Sequence, residues 1–353
     1  MKILHTADLH LTEETLGRWH ALQEIVDLAR QEKVAVLVIA GDLFDQDVAA
    51  ETLRNKLRTM ISSDQFQTII LPGNHDHKAY RSGLYYGENV TVVNNWEEPF
   101  CLGDVHFWGL PYEQLSGDRL ISRLRQMSTR MHKDRYNILL FHGELLDAFF
   151  SRQDMGNEGD RRYMPAWLSY FELLPVQYVM AGHFHSRYAT WKIPGGGLFT
   201  YPGSPVAVTR RESGQRMANL VKVGEVPKEV VLDTFHYEKL VITLDPFTST
   251  DPIAELDEKL AALHPKAEVI LRVEGLFNGS SLGKRENELV AEIINKTNRY
   301  CTVDPVFDAF DVQHVLEDDL YKQFSSRLES ADYLAEHKKQ VKEMVVHAFR
   351  VVK

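Results

Sequence analysis

The stretch VAVLVIAGDLFD, residues 34–45, decides the fold class of this chain. Its first seven residues are apolar, and an apolar run of this length before a turn residue is typical of a buried strand. Gly41 and Asp42 follow at once, so the strand ends in a turn that carries a carboxylate. Amphipathic helical segments lie on either side of the stretch in the sequence. The pattern therefore predicts a layered α/β fold in which helices flank the sheets.

Four further apolar runs end in the same way. They are residues 2–7, 68–71, 137–141 and 176–181, and the polar residues that follow them include Asp8, Asn74, His142 and His183. In open α/β sheets the carboxyl ends of the strands form the edge at which ligands bind. We therefore expect the five strand ends to converge on one functional site.

Seven side chains at these strand ends can bind divalent metal ions: Asp8, His10, Asp42, Asn74, His142, His183 and His185. Carboxylate, carbonyl and imidazole groups are the ligands that hard divalent cations prefer over sulfur. In extended backbone, the side chains of residues two apart point to the same side. We therefore expect each of two pairs to bind one ion: Asp8 with His10, and His183 with His185. Asp42 has two carboxylate oxygens and can bridge two ions about 3.5–4 Å apart, an arrangement that acidifies water.

The residues next to these ligands have expected roles of their own. Gly41, Gly73 and Gly182 allow the backbone to turn sharply off a strand and leave room beside the metals. His75 follows Asn74 directly, so we expect it to face the substrate and to stabilise or protonate the oxygen that leaves phosphorus. Asp76 is the expected partner that orients the ring of His75.

Each motif is weak by itself, because a single Asp-Leu-His or His-Phe-His is more often a structural feature than a metal site. Their joint occurrence, each after an apolar strand, favours metal-dependent phosphoester chemistry. His5 is expected to make a structural hydrogen bond and not to bind metal. Tyr112, Tyr163 and Tyr201 can stack on ring substrates, although an aromatic residue beside a strand usually belongs to the core or its rim.

Composition limits the remaining classes of protein. A chain of 353 residues is long for one core and suggests a large domain with a smaller one. The formal net charge of −10 argues against nucleic-acid binding through a global positive field. Six cationic residues between positions 119 and 135 form a local basic patch, for which a solvated helix face is the plainer explanation.

Cys101 and Cys301 indicate neither a disulfide framework nor a zinc site. The sequence shows no membrane span or signal peptide, so a cytoplasmic location is expected.

The character of the sequence changes near residues 232–240. Beyond this point a β-α-β-α-β pattern is predicted, with strands over 240–244, 267–273 and 303–310 and helices over 251–263 and 284–298. A helical tail with a thin apolar stripe follows over about 317–349. We expect three parts: a catalytic domain over 1–235, a small domain over 236–316 and a C-terminal segment over 317–353.

In this order, DLH, GD, GNHD, a lone HG and GHFH resemble the motifs of the calcineurin-like metallophosphoesterase superfamily, over residues 1 to about 210. The resemblance implies a double β-sandwich flanked by helices. It implies one ion held by Asp8, His10, Asp42 and His185. It implies a second ion held by Asp42, Asn74, His142 and His183, with His75 as the catalytic histidine.

A narrower resemblance is to the SbcD nucleases of bacterial double-strand-break repair. It is carried by the opening KILHTADLHL, by GDLFD and by YPGSP at residues 201–205, while Thr12 and the run 206–216 depart from the usual pattern. It implies a manganese-dependent or magnesium-dependent DNA exonuclease or endonuclease in which a hydroxide held between the metals attacks phosphorus. It also implies a capping domain after residue 236 and a tail that binds a coiled-coil ATPase of the SbcC type.

Two alternatives to a DNA nuclease stay open from the sequence. The same ligands serve a phosphodiesterase or phosphatase that acts on a small molecule, for which the acidic net charge is well suited. The chain can also be a binding subunit whose main role is to dock an ATPase through residues 317–353. An apolar stripe over residues 49–61, with Leu53, Leu57, Met60 and Ile61, packs on the sheet in the plainer interpretation and mediates a homodimer in the other.

Overall fold

The computed structural model describes residues 1–47, 49–80, 84–148, 162–247, 251–300 and 305–352. The chain divides into two compact units, Met1–Tyr237 and Glu238–Lys353. Cys301 and the first two residues of the strand expected over 303–310 lie outside the described residues.

The first unit contains two six-stranded sheets within the described residues. Its strands are β1 (Lys2–Thr6), β2 (Val36–Ala40), β3 (Gln67–Leu71), β4 (Val90–Val92), β5 (Phe100–Leu102), β6 (Val105–Leu110), β7 (Tyr136–His142), β8 (Tyr178–Gly182), β9 (Ala189–Lys192), β10 (Leu198–Tyr201), β11 (Met217–Lys222) and β12 (Lys228–Val231). The first sheet has the order β12-β11-β1-β2-β3-β4, and the second has the order β5-β6-β7-β8-β10-β9.

Helices cover the outer faces of both sheets. They are α1 (Leu16–Gln31), α2 (Ala49–Ile61), α3 (Asp118–Ser128) and α4 (Leu168–Phe171). Buried residues of α1 and α2 share a core with the outer face of the first sheet, and those of α3 and α4 share one with the second sheet. The unit is therefore a double β-sandwich flanked by helices, as the resemblance to the metallophosphoesterases implies.

The alternation along β2 explains these layers. Val36, Val38 and Ala40 belong to the core between the two sheets, whereas Leu37 and Ile39 belong to the core under α1 and α2. Successive side chains of a strand point to opposite faces, so a strand that is apolar at every position requires a cover on both sides. Burying each valine, leucine or isoleucine side chain of this strand contributes about 1.5–3 kcal/mol.

Parallel pairing brings the strand ends to one edge. β1, β2 and β3 are mutually parallel in the first sheet, and β6, β7 and β8 are parallel in the second. Asp8, Asp42 and Asn74 follow the first three strands, while His142 ends β7 and His183 follows β8.

The apolar stripe of α2 packs in the core of its own unit. Leu53, Leu57 and Ile61 are buried there, and Met60 packs against them. The plainer interpretation of this stripe therefore holds, and these side chains are occupied within the chain. The homodimer stays a prediction without support from this face.

The second unit contains a three-stranded sheet with the order β13-β14-β15 among the described residues. Its elements are β13 (His236–Leu244), α5 (Pro252–Ala261), β14 (Ala267–Phe277), α6 (Gly279–Leu282), α7 (Glu286–Thr297), β15 (Val306–Asp311), α8 (Gln313–Leu316), α9 (Asp319–Ser330) and α10 (Ala335–Val352). Asp251 caps α5 by accepting a hydrogen bond from the Ile253 N–H at 2.9 Å, and Pro252 begins the helix. Both features agree with the expected start of this helix.

The C-terminal tail forms two helices, α9 and α10, where the sequence suggests one helical segment. Ala331, which ends α9, has an extended backbone with ψ of 150°, and Lys338 N–H bonds to the Leu334 carbonyl as α10 begins. Phe324, Leu328 and Val345 contribute to packing within the unit, whereas Leu320, Leu334 and Met344 are exposed. The expected stripe is therefore divided between a packed side and an exposed side.

None of the helices in the described part of the chain is both long and apolar enough to cross a lipid bilayer.

Candidate metal centre

Two groups of side chains meet at the strand ends. The first cluster consists of Asp8, His10 and His185, and the second consists of Asp42, His142 and His183. Within each cluster one ligand atom per residue lies within 4.8 Å of the others, and all six residues are buried. The structure thus brings together six of the seven predicted metal ligands, and Asn74 lies against the second cluster.

In the first cluster, imidazole nitrogens face one another. His10 Nε2 lies 3.2 Å from His185 Nε2, and His185 Nε2 lies 3.8 Å from Asp8 Oδ1. The Asp8 carboxylate also accepts a hydrogen bond from the backbone N–H of His183 at 3.0 Å. This contact ties the two predicted ligand pairs to each other across 175 residues of sequence.

In the second cluster, Asn74 lies between two histidines. Its Oδ1 is 2.8 Å from His142 Nε2 and 3.1 Å from His183 Nδ1. His142 Nδ1 donates to the Ala40 carbonyl at 2.8 Å, so Nε2 is the nitrogen that faces the cluster. The amide oxygen and the two imidazoles are a suitable set of ligands for one divalent ion.

Asp42 connects the clusters. Its Oδ2 lies 3.2 Å from His142 Nε2 and 3.9 Å from His10 Nε2, one histidine from each cluster. This buried oxygen has no hydrogen-bond donor among the described residues, and leaving a buried carboxylate oxygen unbonded is costly. A cation held between the clusters would remove that cost, so these residues fit a centre of two metal ions with Asp42 as the bridge.

The backbone at the ligands differs from the expected extended form. Asp8 and His10 have φ of 58° and 48°, and Asp42 and His183 have φ of 49° and 99°. The pairing of Asp8 with His10 therefore does not arise from strand alternation, since β1 ends at Thr6. It arises from a left-handed loop held by hydrogen bonds from Asp8 N–H to the Gly41 carbonyl and from His10 N–H to the Asp42 carbonyl.

The glycines leave room, as the sequence predicts. A Cβ atom at Gly41 would lie 1.9 Å from His142 Nδ1, and Gly41 has φ of +99°. At Gly73 a Cβ atom would lie 2.1 Å from Asp42 Oδ1. Any side chain at these positions would displace a predicted ligand.

Burial and neighbouring charges move the pKa values of the ligands. Burial raises the pKa of Asp8. Burial also opposes ionisation of Asp42, but the charges of the nearby His142 and His10 outweigh it and hold the pKa of Asp42 well below its usual range. Against the effect of burial, Asp42 raises the pKa of His142 to about 10. The centre therefore favours positive charge between these two side chains, whether a proton or a metal ion carries it.

His75 lies beside the first cluster. Its ring centroid is 4.7 Å from that of His10, and its Nδ1 lies 2.9 Å from the carbonyl oxygen of Asp45. A carbonyl oxygen only accepts, so Nδ1 carries the proton and donates it. The backbone N–H of His75 donates to Asp42 Oδ1 at 2.8 Å, which fixes the loop to the bridging residue.

The Asp76 carboxylate bonds to groups other than the His75 ring, which was its expected partner. Its buried carboxylate accepts hydrogen bonds from the Gly73 N–H at 2.8 Å, the Phe44 N–H at 3.1 Å and the Tyr80 hydroxyl at 2.8 Å. The expectation that it orients the His75 ring is corrected, because Asp45 makes the contact to that ring. Asp76 joins the loop after β3 to the loop after β2.

Three polar residues at the centre were not among the predicted site residues: Asp45, Glu212 and Arg216. Asp45 is the last residue of the GDLFD motif, whereas the other two lie in no predicted motif. Asp45 Oδ1 lies 3.4 Å from His10 Nδ1 and 3.2 Å from Arg18. Glu212 Oε1 lies 3.2 Å from His185 Nδ1, and the buried Arg216 donates to the His185 carbonyl. Burial opposes ionisation of Glu212, but His185, the Val208 N–H and Arg216 outweigh it and lower the pKa of Glu212 to about 2.

The remaining histidine and tyrosine predictions concern residues outside the two clusters. His5 accepts a hydrogen bond from Asn219 with a nitrogen-to-nitrogen distance of 3.1 Å, which agrees with a structural role. The ring of Tyr163 lies 5.1 Å from that of His183, and Tyr112 lies 5.9 Å from Tyr163. Tyr201 is buried and donates to the Gly143 carbonyl, so it belongs to the core.

The fold and the two joined clusters define an α/β-sandwich protein with a candidate dinuclear metal centre. The sequence model of the calcineurin-like phosphoesterases matches residues 1–187, and the chain belongs to this family. The predicted resemblance to metallophosphoesterases is thereby confirmed, and with it phosphoester hydrolysis as the general class of reaction.

Two curated relatives agree with the narrower resemblance. A DNA double-strand break repair protein Mre11 from Sulfurisphaera tokodaii is 22% identical over 317 residues, which cover 83% of this chain and 76% of that protein. The SbcD component of the SbcCD nuclease from Staphylococcus saprophyticus is 25% identical over 300 residues, which cover 75% of this chain and 76% of that protein. Among solved structures, a dimetal phosphatase from Danio rerio is 13% identical with a TM-score of 0.42, covering 65% of this chain and 95% of that one.

Proposed function

We propose that this chain is a DNA nuclease that hydrolyses phosphodiester bonds with two divalent metal ions and takes part in double-strand-break repair. The observation that carries the proposal is the position of Asp42 Oδ2, which lies 3.2 Å from His142 Nε2 of its own cluster and 3.9 Å from His10 Nε2 of the other. The names of the two curated relatives support DNA as the substrate.

The proposed ligands follow the two clusters. Asp8, His10, Asp42 and His185 would hold one ion, and Asp42, Asn74, His142 and His183 would hold the other, with manganese as the preferred metal and magnesium as the alternative. When bound, two such ions acidify water and neutralise charge on the phosphate oxygens.

His75 supplies the proton in this proposal. Because its Nδ1–H is engaged by the Asp45 carbonyl, Nε2 is the nitrogen that exchanges a proton with the substrate. The leaving 3′ oxygen of DNA is a poor leaving group unless it is protonated or stabilised as it departs. Asp76 acts indirectly, by holding the loop that presents His75.

The test of this assignment is His75→Leu. We expect the variant to bind two manganese ions with wild-type affinity and to lose cleavage of linear duplex DNA by roughly 10²–10⁴-fold, the usual contribution of a general acid. His20→Leu, an exposed histidine on α1, is the matched control and should cleave normally. Normal cleavage by His75→Leu would remove His75 from the mechanism.

A small phosphodiester is the alternative substrate, and two observations favour it. The net charge is −10, and three members of the basic patch, Arg123, Arg130 and Arg135, are paired with Glu113, Glu97 and Asp104. Paired arginines offer less attraction to a DNA backbone than unpaired ones. We retain DNA because we propose that the second unit acts as a cap that shapes a groove for a polymer.

We propose further that the C-terminal tail binds a coiled-coil ATPase. Four exposed apolar side chains of the tail support a protein contact there: Leu320 on α9, Leu334 just before α10, and Val341 and Met344 on α10. The double variant Leu334→Glu with Met344→Glu should lose co-purification with the ATPase while retaining hydrolysis of a small phosphodiester. Val231→Glu, an exposed apolar position in the first unit, is the control. Undiminished co-purification of the double variant would place the contact elsewhere.

A further inference from the structure

The two clusters differ in the group that accepts a hydrogen bond from a histidine nitrogen facing away from the cluster. In the second cluster, His142 Nδ1 donates to a neutral backbone carbonyl, that of Ala40. In the first cluster, His185 Nδ1 faces a carboxylate, Glu212 Oε1, at 3.2 Å. A carboxylate behind a metal-binding imidazole fixes its tautomer and strengthens it as a ligand more than a neutral carbonyl does.

Glu212 is built into the fold at this point. Its side chain is fully buried, and it accepts hydrogen bonds from the Val208 N–H at 2.8 Å, the Ser204 hydroxyl at 3.1 Å and the Thr209 hydroxyl at 3.1 Å. With these donors in place, the carboxylate has one fixed orientation and directs Oε1 at His185. Burying a carboxylate is costly unless it accepts hydrogen bonds, and these three donors offset that cost and keep the charge beside His185.

Arg216 binds the backbone of the loops that carry His185 and Ser204. Its side chain is fully buried, and it donates to the His185 carbonyl and, at 3.0 Å, to the Ser204 carbonyl. Glu212 therefore fixes the ring of His185 while Arg216 fixes its peptide. Both residues lie in the run 206–216, where the sequence departs from the SbcD pattern.

The consequence for His185 concerns its tautomer. An ionised carboxylate only accepts hydrogen bonds, so Nδ1 carries the proton and donates to Glu212 while Nε2 keeps its lone pair. Nε2 is the nitrogen that faces His10 and Asp8 at 3.2 Å and 3.8 Å. Without Glu212, the His185 ring of the metal-free protein would populate both tautomers. In one of them a proton would occupy Nε2, the nitrogen that is proposed to bind the metal.

We propose that Glu212, held by the Val208 N–H and the Ser204 hydroxyl, is a positioning residue that fixes the Nδ1–H tautomer of His185, while Arg216 fixes the His185 peptide. Glu212 thereby strengthens metal binding at the first cluster and not at the second. The proposal rests on the two-metal centre of the proposed function. It predicts two manganese affinities that respond differently to one buried substitution.

The experiment is a calorimetric titration of the metal-free full chain with manganese. Glu212→Leu should weaken one of the two binding steps by roughly 10–100-fold, the usual effect of losing such a partner, and leave the other step unchanged. The weakened step should be the one that His185→Ala abolishes, and the unchanged step the one that His142→Ala abolishes. Glu212→Gln retains an oxygen that can accept from His185, so it should recover part of the lost affinity.

A control separates this effect from loss of stability. Asn89 is buried and donates to the Ile61 and Phe66 carbonyls. Its own carbonyl accepts from the Thr68 N–H near the start of β3, the opposite end of that strand from Asn74. Asn89→Ala should lower the free energy of unfolding without changing either manganese affinity. If Glu212→Leu does not fold, Glu212→Gln and Arg216→Lys provide the same comparison with smaller expected losses.

A spectroscopic measurement reports the tautomer itself. Long-range proton–nitrogen correlation spectra of the metal-free, ¹⁵N-histidine-labelled chain should show His185 protonated at Nδ1, assigned by its absence in His185→Ala. The Glu212→Leu spectrum should show a mixture of tautomers for this ring. Equal weakening of both manganese steps, or an unchanged tautomer together with unchanged affinities, would overturn the proposal. Two normal manganese steps in a wild-type chain that cleaves no DNA would contradict only the proposed function.

Discussion

At the scale of single residues, four of the seven predicted ligands occupy backbone conformations that L-amino acids avoid. Asp8, His10, Asp42 and His183 all have positive φ, and such conformations cost on the order of 1–3 kcal/mol each. They persist because neighbouring groups hold them, as when the His183 N–H bonds to the Asp8 carboxylate at 3.0 Å. Strain of this kind points the side chains at a common centre before any ion arrives.

Gly73→Ala tests how closely the loops approach each other. The new methyl group would lie 2.1 Å from Asp42 Oδ1 and 2.4 Å from the Asp42 nitrogen, so the bridging aspartate must move. We expect the free energy of unfolding to fall by roughly 1–3 kcal/mol and manganese affinity to fall at both steps of a titration. Gly17→Ala, where a Cβ atom meets nothing within 4 Å, is the matched control. A Gly73→Ala variant with both affinities intact would refute this packing argument.

His5 makes a prediction about pH. Burial lowers its pKa to about 3, whereas the ring titrates near 6.5 in the unfolded chain. Because the folded pKa is the lower one, the neutral ring contributes its full stability above about pH 6.5 and loses it as the pH falls toward 3. Over that window the unfolding free energy of the metal-free wild type should fall by roughly 1.4 kcal/mol per pH unit more than that of His5→Gln.

The measurement for His5 is urea denaturation of the metal-free chain at several pH values between about 4 and 7.5. His20→Gln, at an exposed position, should follow the wild-type curve. Parallel curves for wild type and His5→Gln would show that His5 does not titrate as its burial requires.

At the scale of elements, much of the fold could be predicted because its signals are local. The run at residues 34–40 is apolar at every position, and a glycine marks its end, so both the strand and the turn are apparent in the sequence. The start of α5 at Asp251 and Pro252 is local in the same way. Parallel pairing then places the strand ends together by geometry alone.

The parts that could not be predicted depend on contacts between distant residues. Glu212 lies 27 positions from His185 in an irregular segment, and no spacing rule connects them. The left-handed conformation of Asp8 and His10 depends on carbonyls of Gly41 and Asp42, in another loop. Asp76 was expected to contact its neighbour His75, but tertiary contacts with Phe44 and Tyr80 determine its position.

A prediction at this scale concerns α5. Asp251→Ala removes the side chain that accepts from the Ile253 N–H at 2.9 Å, and loss of such a cap costs about 1 kcal/mol. Amide hydrogen exchange in the first turn of α5 should accelerate by roughly fivefold, the equivalent of that energy. Glu258→Ala, at an exposed position of the same helix, should leave the exchange of this turn unchanged. Equal exchange rates in both variants would mean that the cap does not stabilise the helix start.

At the scale of the whole molecule, the proposed chemistry belongs to the unit Met1–Tyr237. The seven predicted metal ligands, His75 and Glu212 all lie within it. The unit Glu238–Lys353 contributes no residue to either cluster among those that the structure describes. Within the proposed function, cleavage of a phosphodiester therefore depends on residues of the first unit, and the catalytic motifs leave open the choice of a polymer substrate.

The most direct test of the central claim is an assay of the purified full chain on linear duplex DNA, single-stranded DNA and a small aryl phosphodiester. Each substrate is incubated with manganese, with magnesium, and with a chelator followed by manganese in excess. We expect cleavage of DNA with manganese, no cleavage of any substrate with the chelator, and recovery when manganese is restored. Hydrolysis of the small ester alone would contradict the assignment to DNA, and hydrolysis that persists in the chelator would contradict the two-metal centre itself.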